Sequence, residues 1–424
     1  MDRVERSKSQ VGFLNRLAKQ INLTVLALID NPTFQKNRIQ ELDVFRGFAI
    51  FGIFMVNILV MDISFVYRGD WVAEQTGWIQ DIPRFILEEF FFGKFFTVFS
   101  FLFGVGVALQ ISKAKENGSF STSFFIRRFS SLFVFGVAHI LFIWSGDILH
   151  IYGALGFLLL GFFKLKAKWL IWIAAIIFLF PFYFQLFEWL VVKQLGFGHM
   201  APLVEFSREQ LSEMKHNGSY LSGISLRLKE YSFVMGYVYA AMIPAALTMM
   251  LLGGAFVKKG MLKNISGWVN RGKVIVPIVF ILFLAYRIIL LYYVKPAYDL
   301  EPGSSLAVVL MTIYYAADLI ISLCYLWFLA FLLQYPFPRK VLEPLANVGR
   351  TALSNYILQS ILGYLIMRTF NGYDSLSIAE CVLLVIVIFA AQLVLSKYWL
   401  ALFRYGPLEW LWRCISYWKV LPIR

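Results

Sequence analysis

The chain is short of the residues that a water-soluble protein relies on. Charged residues fill only 15% of its 424 positions, whereas a soluble chain averages roughly a quarter. Cysteine is nearly absent: Cys324, Cys381 and Cys414 stand far apart with no CxxC spacing, which excludes a disulfide framework or a cysteine-based metal site. Histidine is equally scarce, at four. Apolar residues, in contrast, make up 60% of the chain and aromatic residues 18%, a composition that cannot remain disordered. The formal net charge is +14, but the basic residues lie between apolar runs long enough to cross a bilayer, so a nucleic-acid partner is not expected. The composition is that of an all-α, polytopic membrane protein.

A helical span needs roughly 20 mostly apolar residues. Ten runs meet that window, near 43–66, 85–112, 126–145, 147–163, 168–192, 233–257, 274–294, 305–333, 351–370 and 377–402. Ser145-Gly146-Asp147 reads as a tight turn that makes a hairpin of the third and fourth. With the N-terminus taken as cytoplasmic, 27 Lys and Arg residues fall in the inside segments and nine in the outside ones. This asymmetry predicts that both termini are cytoplasmic.

Residues 1–42 carry Val11, Phe13, Leu14, Leu17 and Ile21 at helical spacing, with Arg16 and Lys19 off that stripe. They read either as an amphipathic helix on the inner leaflet or as a helix packed on the bundle. No cleavage site marks them as a signal peptide. The ten-helix domain then covers 43–403, and 404–424 forms a cytoplasmic C-terminal segment. The long external segment, 193–232, spaces Glu205, Arg208, Glu209, Glu213, Lys215, Arg227 and Glu230 like a solvated helix face.

A charge at the centre of a span costs at least about 2.5–3.5 kcal/mol on insertion scales, so each one calls for a reason. Arg46 and Asn57 are 11 residues apart and return to nearly one face of the first span, with Asp43 one turn below. Arg46 reads either as an anchoring partner of Asp43 or as a guanidinium aimed at a phosphate or carboxylate. Lys94 lies roughly ten residues into the second span, with Glu88 and Glu89 as its nearest partners. The hairpin holds His139, Asp147 and His150, and Asp147 and His150 share a helix face at i, i+3. That trio suits general-base chemistry, or else helix-end capping with hydrogen-bonded histidines, or less simply a metal. Arg127 and Arg128 open the third span as positive-inside anchors. Asn355, Tyr356, Gln359 and Ser360 form a polar stripe on the ninth span, answered by Gln392, Ser396 and Trp399 on the tenth. They either bond the two helices together or line a polar path.

Several segments, in order along almost the whole chain, resemble the YeiB family of bacterial inner-membrane proteins. They are Leu42–Asn57 (LDVFRGFAIFGIFMVN), Gly93–Gly104 (GKFFTVFSFLFG), Gly146–Tyr152 (GDILHIY), Gly349–Tyr356 (GRTALSNY) with Gln359-Ser360, and Gly406–Arg413 (GPLEWLWR). The resemblance implies kinship with transmembrane acyltransferases such as the lysosomal heparan-α-glucosaminide N-acetyltransferase and bacterial surface-sugar O-acyltransferases, which move acyl groups from cytoplasmic acyl-CoA across the membrane. It also implies a bacterial inner-membrane location. Two departures bear on catalysis. The sugar enzymes place a His eleven residues after their early Arg, where Asn57 stands here. The heparan enzyme carries its base in the loop after the first matching span, and here 58–83 contains no histidine.

The resulting expectation is an acyltransferase with acyl-CoA, in particular acetyl-CoA, as donor and no metal. Arg46, Arg127, Arg128 and Arg350 would hold its phosphates, and Asn57, Asn355, Tyr356, Gln359 and Gln392 would line the acyl path. His150 oriented by Asp147, or else His139, would be the base, with Lys94 or Asn57 stabilising the oxyanion. The acceptor would be a small molecule or glycan, and a second copy of the chain is a candidate partner. The rival readings are a transporter for an anionic metabolite and a non-catalytic scaffold.

Overall fold

The computed structural model describes residues 39–180, 206–297, 304–369 and 373–424, with five positions between 182 and 190. The amphipathic reading of the first 38 residues lies outside them. The principal helices are α1 (Gln40–Asp62), α2 (Trp78–Ile86), α3 (Phe95–Glu116), α4 (Thr122–Phe142), α5 (Leu149–Phe162), α6 (Ala167–Leu179), α7 (Arg208–His216) and α8 (Tyr220–Tyr237). They continue with α9 (Ile243–Lys258), α10 (Ile275–Ile289), α11 (Ser305–Leu332), α12 (Leu345–Arg350), α13 (Ala352–Thr369), α14 (Ile378–Leu402) and α15 (Pro407–Tyr417). Among the described residues, complete π-helical turns interrupt this pattern at Leu87–Phe91, Val238–Met242 and Leu290–Val294.

Each of the ten apolar runs contains a helix. By length and apolarity, seven helical stretches among the described residues are able to cross a membrane. α5 and α6 are shorter, and α13 carries the polar stripe that lowers its hydropathy. Large apolar side chains cover the outer surface, among them Trp172, Ile281, Leu282, Val309, Leu383 and Val394. Such a surface suits lipid rather than water, because only closed helical hydrogen bonding is tolerated there.

The centre of the bundle is held by close backbone contact. α3 and α9 approach each other through Gly104, which faces the Met250 carbonyl, and Gly253, which faces the Phe101 carbonyl. A Cβ at either position would collide with the partner backbone, so small residues set the spacing, as they do between membrane helices generally. α1 packs on α12, α13 and α3, α4 and α5 form the expected hairpin, and α15 lies across α4. α10 and α11 form a pair that meets the rest of the bundle chiefly at α3.

The 193–232 segment differs from the reading of a solvated face. Its described part forms α7 and the beginning of α8, and Arg227 and Glu230 are buried. Arg227 donates from Nε to the Leu141 carbonyl at 2.8 Å, and Glu230 pairs with Lys215 at 2.9 Å. The pattern is therefore mixed: Glu209 and Glu213 are exposed as a solvated face requires, while Arg227 and Glu230 turn inward.

Candidate functional site

The ends of α4 and α5 bring the hairpin trio together. Asp147 lies in the connection, fully buried, and both of its oxygens accept hydrogen bonds. Oδ1 lies 3.0 Å from His139 Nδ1, and Oδ2 lies 2.8 Å from His150 Nδ1. Oδ2 also accepts the His150 backbone N–H at 2.9 Å, so Asp147 caps the first turn of α5 as well. Gly136 on α4 makes this possible, since a Cβ there would strike the His150 backbone and the Asp147 carboxylate. An ionised carboxylate can only accept, so each histidine donates to it from Nδ1, and in a neutral imidazole bonded this way Nε2 is the acceptor atom.

The two Nε2 atoms have different surroundings. His150 Nε2 is hydrogen-bonded to the Tyr231 hydroxyl on α8 at 2.8 Å. His139 Nε2 is buried without a hydrogen-bond partner among the described residues. Its ring centroid is 5.3 Å from that of Tyr356, whose hydroxyl donates to the Gly146 carbonyl at 3.4 Å. Among the described residues no group of three or more His, Cys, Asp or Glu side chains is arranged around a metal position.

A cavity of about 270 Å³ lies below Tyr356. Arg46, Arg128, Arg350, Arg404 and Arg413 line it, and among the described residues Glu409 is the carboxylate on its wall. Ile148, Tyr152 and Tyr356 line it as well. Arg46 and Ile53 both border it from α1, so its walls extend over roughly 10 Å of helix axis. Arg46 pairs with Asp43 at 2.9 Å and also lines the cavity. Arg128 stacks its guanidinium 3.6 Å from the Trp412 ring, and the Trp412 indole donates to the Arg128 carbonyl at 2.8 Å. α15 thus forms part of the cavity wall.

Glu409 anchors that wall. Its Oε1 accepts the backbone N–H groups of Leu353 and Ser354 at 2.7 and 3.1 Å, and its Oε2 accepts the Ser354 hydroxyl at 2.5 Å. It satisfies the open donors at the start of α13. Burial pushes its pKa above the usual carboxylate range, and the Ser354 hydroxyl and the backbone donors pull the other way without cancelling the effect.

The remaining anticipated residues are distributed elsewhere. Arg127 does not border the cavity; its Nε donates to the Ser416 carbonyl at 3.0 Å and ties α4 to α15. Asn57 is half-buried on α1 and does not border it either. Gln359 donates to Gln392 at 2.9 Å, Gln392 to the Asn355 carbonyl at 3.1 Å, and Asn355 to Ser396 at 3.0 Å. These side chains bond α13 to α14, and of the polar stripe only Tyr356 faces the cavity.

Lys94 belongs to a separate buried network. Its Nζ pairs with Asp318 on α11 at 2.8 Å and donates to the Phe92 carbonyl at 2.8 Å. The partner is therefore Asp318 rather than either adjacent glutamate. Arg287 on α10 reaches the same Asp318 oxygen at 2.6 Å and Glu89 at 3.1 Å, and it also donates to the Tyr314 hydroxyl at 2.7 Å. Two cations and two anions neutralise one another inside the bundle. Arg287 and Asp318 are the functional-looking residues that sequence reasoning passes over. The available signal was that each is an isolated charge in the middle of an apolar run. Arg404, Glu409 and Arg413 carried no charge pattern of their own, and Tyr231 carried no signal at all.

The family model described as "Protein of unknown function (DUF418)" matches residues 256–419. The uncharacterized protein YxaH of Bacillus subtilis (strain 168) is 30% identical over 418 residues, covering 92% of this chain and 97% of the relative. An uncharacterized 39.9 kDa protein from the amylase 3′ region of Bacillus acidopullulyticus is 29% identical over 393 residues, covering 93% and 98%. The uncharacterized protein YeiB of Escherichia coli (strain K12) is 26% identical over 409 residues, covering 88% and 95%.

Proposed function

The chain belongs to the DUF418/YeiB family and is a multi-pass bacterial membrane protein, and from that premise we propose that it is an acyltransferase fed by acyl-CoA. The observation that carries the reading is one cavity lined by five arginines and by the tyrosine that packs against His139. Arginines gathered along one cavity suit a polyanion, Arg46 among them while it stays paired with Asp43, because planar guanidinium forks match phosphate oxygens. The volume suits the narrow acyl-pantetheine arm, with the nucleotide phosphates held at the arginine mouth.

In this reading all ten runs contribute to the membrane domain and both termini are cytoplasmic, as the Lys and Arg asymmetry suggests. The arginine mouth then opens to the cytoplasm, and the histidine pair sits toward the outer face of an inner-membrane protein. His139 is the base because its Nε2 carries an unshared lone pair. It takes the proton from an acceptor hydroxyl or amine, which attacks the thioester carbonyl. The carbon–sulfur bond breaks, and the departing thiolate recovers the proton from His139. Asp147 holds the tautomer and stabilises the transient imidazolium. Tyr356 must turn aside for donor and base to meet. The acceptor in this reading is a small molecule or glycan, as the resemblance to transmembrane acyltransferases implies, and a homodimer is the candidate assembly.

The test is calorimetric titration of the purified protein with acetyl-CoA. The reading expects saturable binding, weakened at least tenfold by Arg350→Ala or Arg413→Ala. A folded sample that binds neither acetyl-CoA nor longer acyl-CoAs contradicts it and favours transport of another anion or a scaffold.

A further inference from the structure

A second and larger cavity, of about 570 Å³, lies on the other side of α3. That volume falls within the range of sites that enclose a small molecule, roughly 300–1,000 Å³. It runs along α11, whose side chains border it from Ala307 to Asp318. At 1.5 Å per residue this is about 16 Å of helix axis, so the space is long and narrow. Phenylalanines, tyrosines and alanines form most of its wall, and among the described residues Asp318 and Lys295 are the charged ones on it.

Three π-helical turns converge on this space. Leu87–Phe91 leads directly into Phe92 and Gly93, Val238–Met242 contributes Ala240 and Ala241, and Leu290–Val294 contributes Leu290, all of which border the cavity. A π turn widens a helix locally and forfeits regular hydrogen bonding, and such turns collect at binding sites. α10 and α11 stand off from α9, and the gap between them is the cavity.

The charge distribution selects the occupant. At the deep end Asp318 is neutralised by Lys94 and Arg287, and Glu89 balances the remaining cation, so that end presents no net charge. At the far end Lys295 is exposed. We propose that this cavity holds the hydrocarbon chain of a membrane lipid, with an anionic headgroup at Lys295 and the chain end toward Asp318. An elongated apolar space, closed at one end by a balanced network and opening beside one cation, matches a single-chain amphiphile with an acidic head. The site is independent of the acyl-CoA reading.

The test uses radiolabelled hexadecyl phosphate and hexadecanol with the full chain in detergent. The protein should bind one hexadecyl phosphate, and Ala241→Trp or Ala307→Trp, each filling the cavity from a different helix, should weaken binding at least tenfold. Val309→Trp, on the outward face of α11, should leave it unchanged. Lys295→Glu should weaken the phosphate but not the alcohol. Melting temperatures of the variants separate loss of the site from loss of the fold. Affinity should rise with chain length and then level off once the cavity is filled. Equal binding by Ala307→Trp and Val309→Trp, or affinity that climbs with no plateau, overturns the proposal and leaves only non-specific surface lipid.

Discussion

His139 and Asp147 are joined at 3.0 Å through Nδ1, and the opposite nitrogen of that imidazole is buried with no hydrogen-bond partner among the described residues. A buried polar atom left unsatisfied costs about 1–3 kcal/mol. An acceptor hydroxyl or amine would satisfy it. His150 shares the same carboxylate but gives its second nitrogen to Tyr231, so the two histidines are unequal despite their common partner.

That inequality predicts different kinetics for the two. His139→Ala should lower acyl transfer by about 10²–10⁴-fold, the usual contribution of a general base. His150→Ala should cost far less and act mainly through the position of Asp147. CoA release under single-turnover conditions measures both, and equal losses would remove the distinction.

The arginine mouth should bind in a salt-dependent way. Removing one charge-assisted hydrogen bond costs roughly 1.5–3 kcal/mol, so Arg350→Ala or Arg413→Ala should raise the acetyl-CoA dissociation constant by about ten- to a hundredfold. Arg127→Ala should change it little, because Arg127 faces Ser416 rather than the cavity. Titrations at two ionic strengths check both statements.

The buried network predicts a stability effect without a binding effect at the arginine cavity. Asp318→Leu leaves Lys94 and Arg287 underpaired, and breaking a buried pair costs about 3–5 kcal/mol. Adding Arg287→Met should restore part of the loss, since apolar replacement of both partners is often neutral. Thermal unfolding in detergent, with the double variant beside the single ones, reads the coupling.

Glu409 predicts a pH dependence. Its folded pKa is raised by burial, so the folded state binds the proton more tightly than the unfolded chain does. The associated stability is fully present below the ordinary carboxylate pKa and is lost as pH rises through the raised value. Glu409→Gln should flatten the melting temperature across that interval. A dependence unchanged by the substitution would assign it to another group.

Much of the fold was legible because lipid imposes a simple rule: long apolar runs become helices, and each of the ten runs contains one. The hairpin trio was legible for a local reason, since Asp147 and His150 are three residues apart and His139 is one short turn away. The arginine cavity was only half legible. Arg46, Arg128 and Arg350 stood at helix ends, but Arg404 and Arg413 reach the site because α15 folds back across α4, a tertiary fact with no periodicity to announce it. Sequence proximity points Lys94 to Glu88 and Glu89, yet Asp318, more than two hundred positions away, is its partner. Helical spacing also does not separate solvated from buried charges, as Arg227 and Glu230 show.

The most direct test of acyl transfer is release of free CoA thiol from acetyl-CoA supplied to inverted membrane vesicles that carry the protein. The account predicts thiol release above that of vesicles lacking the protein, lost in His139→Ala and reduced in Arg350→Ala. Thiol release that persists unchanged in His139→Ala, or uptake of intact acetyl-CoA with its thioester uncleaved, would contradict it.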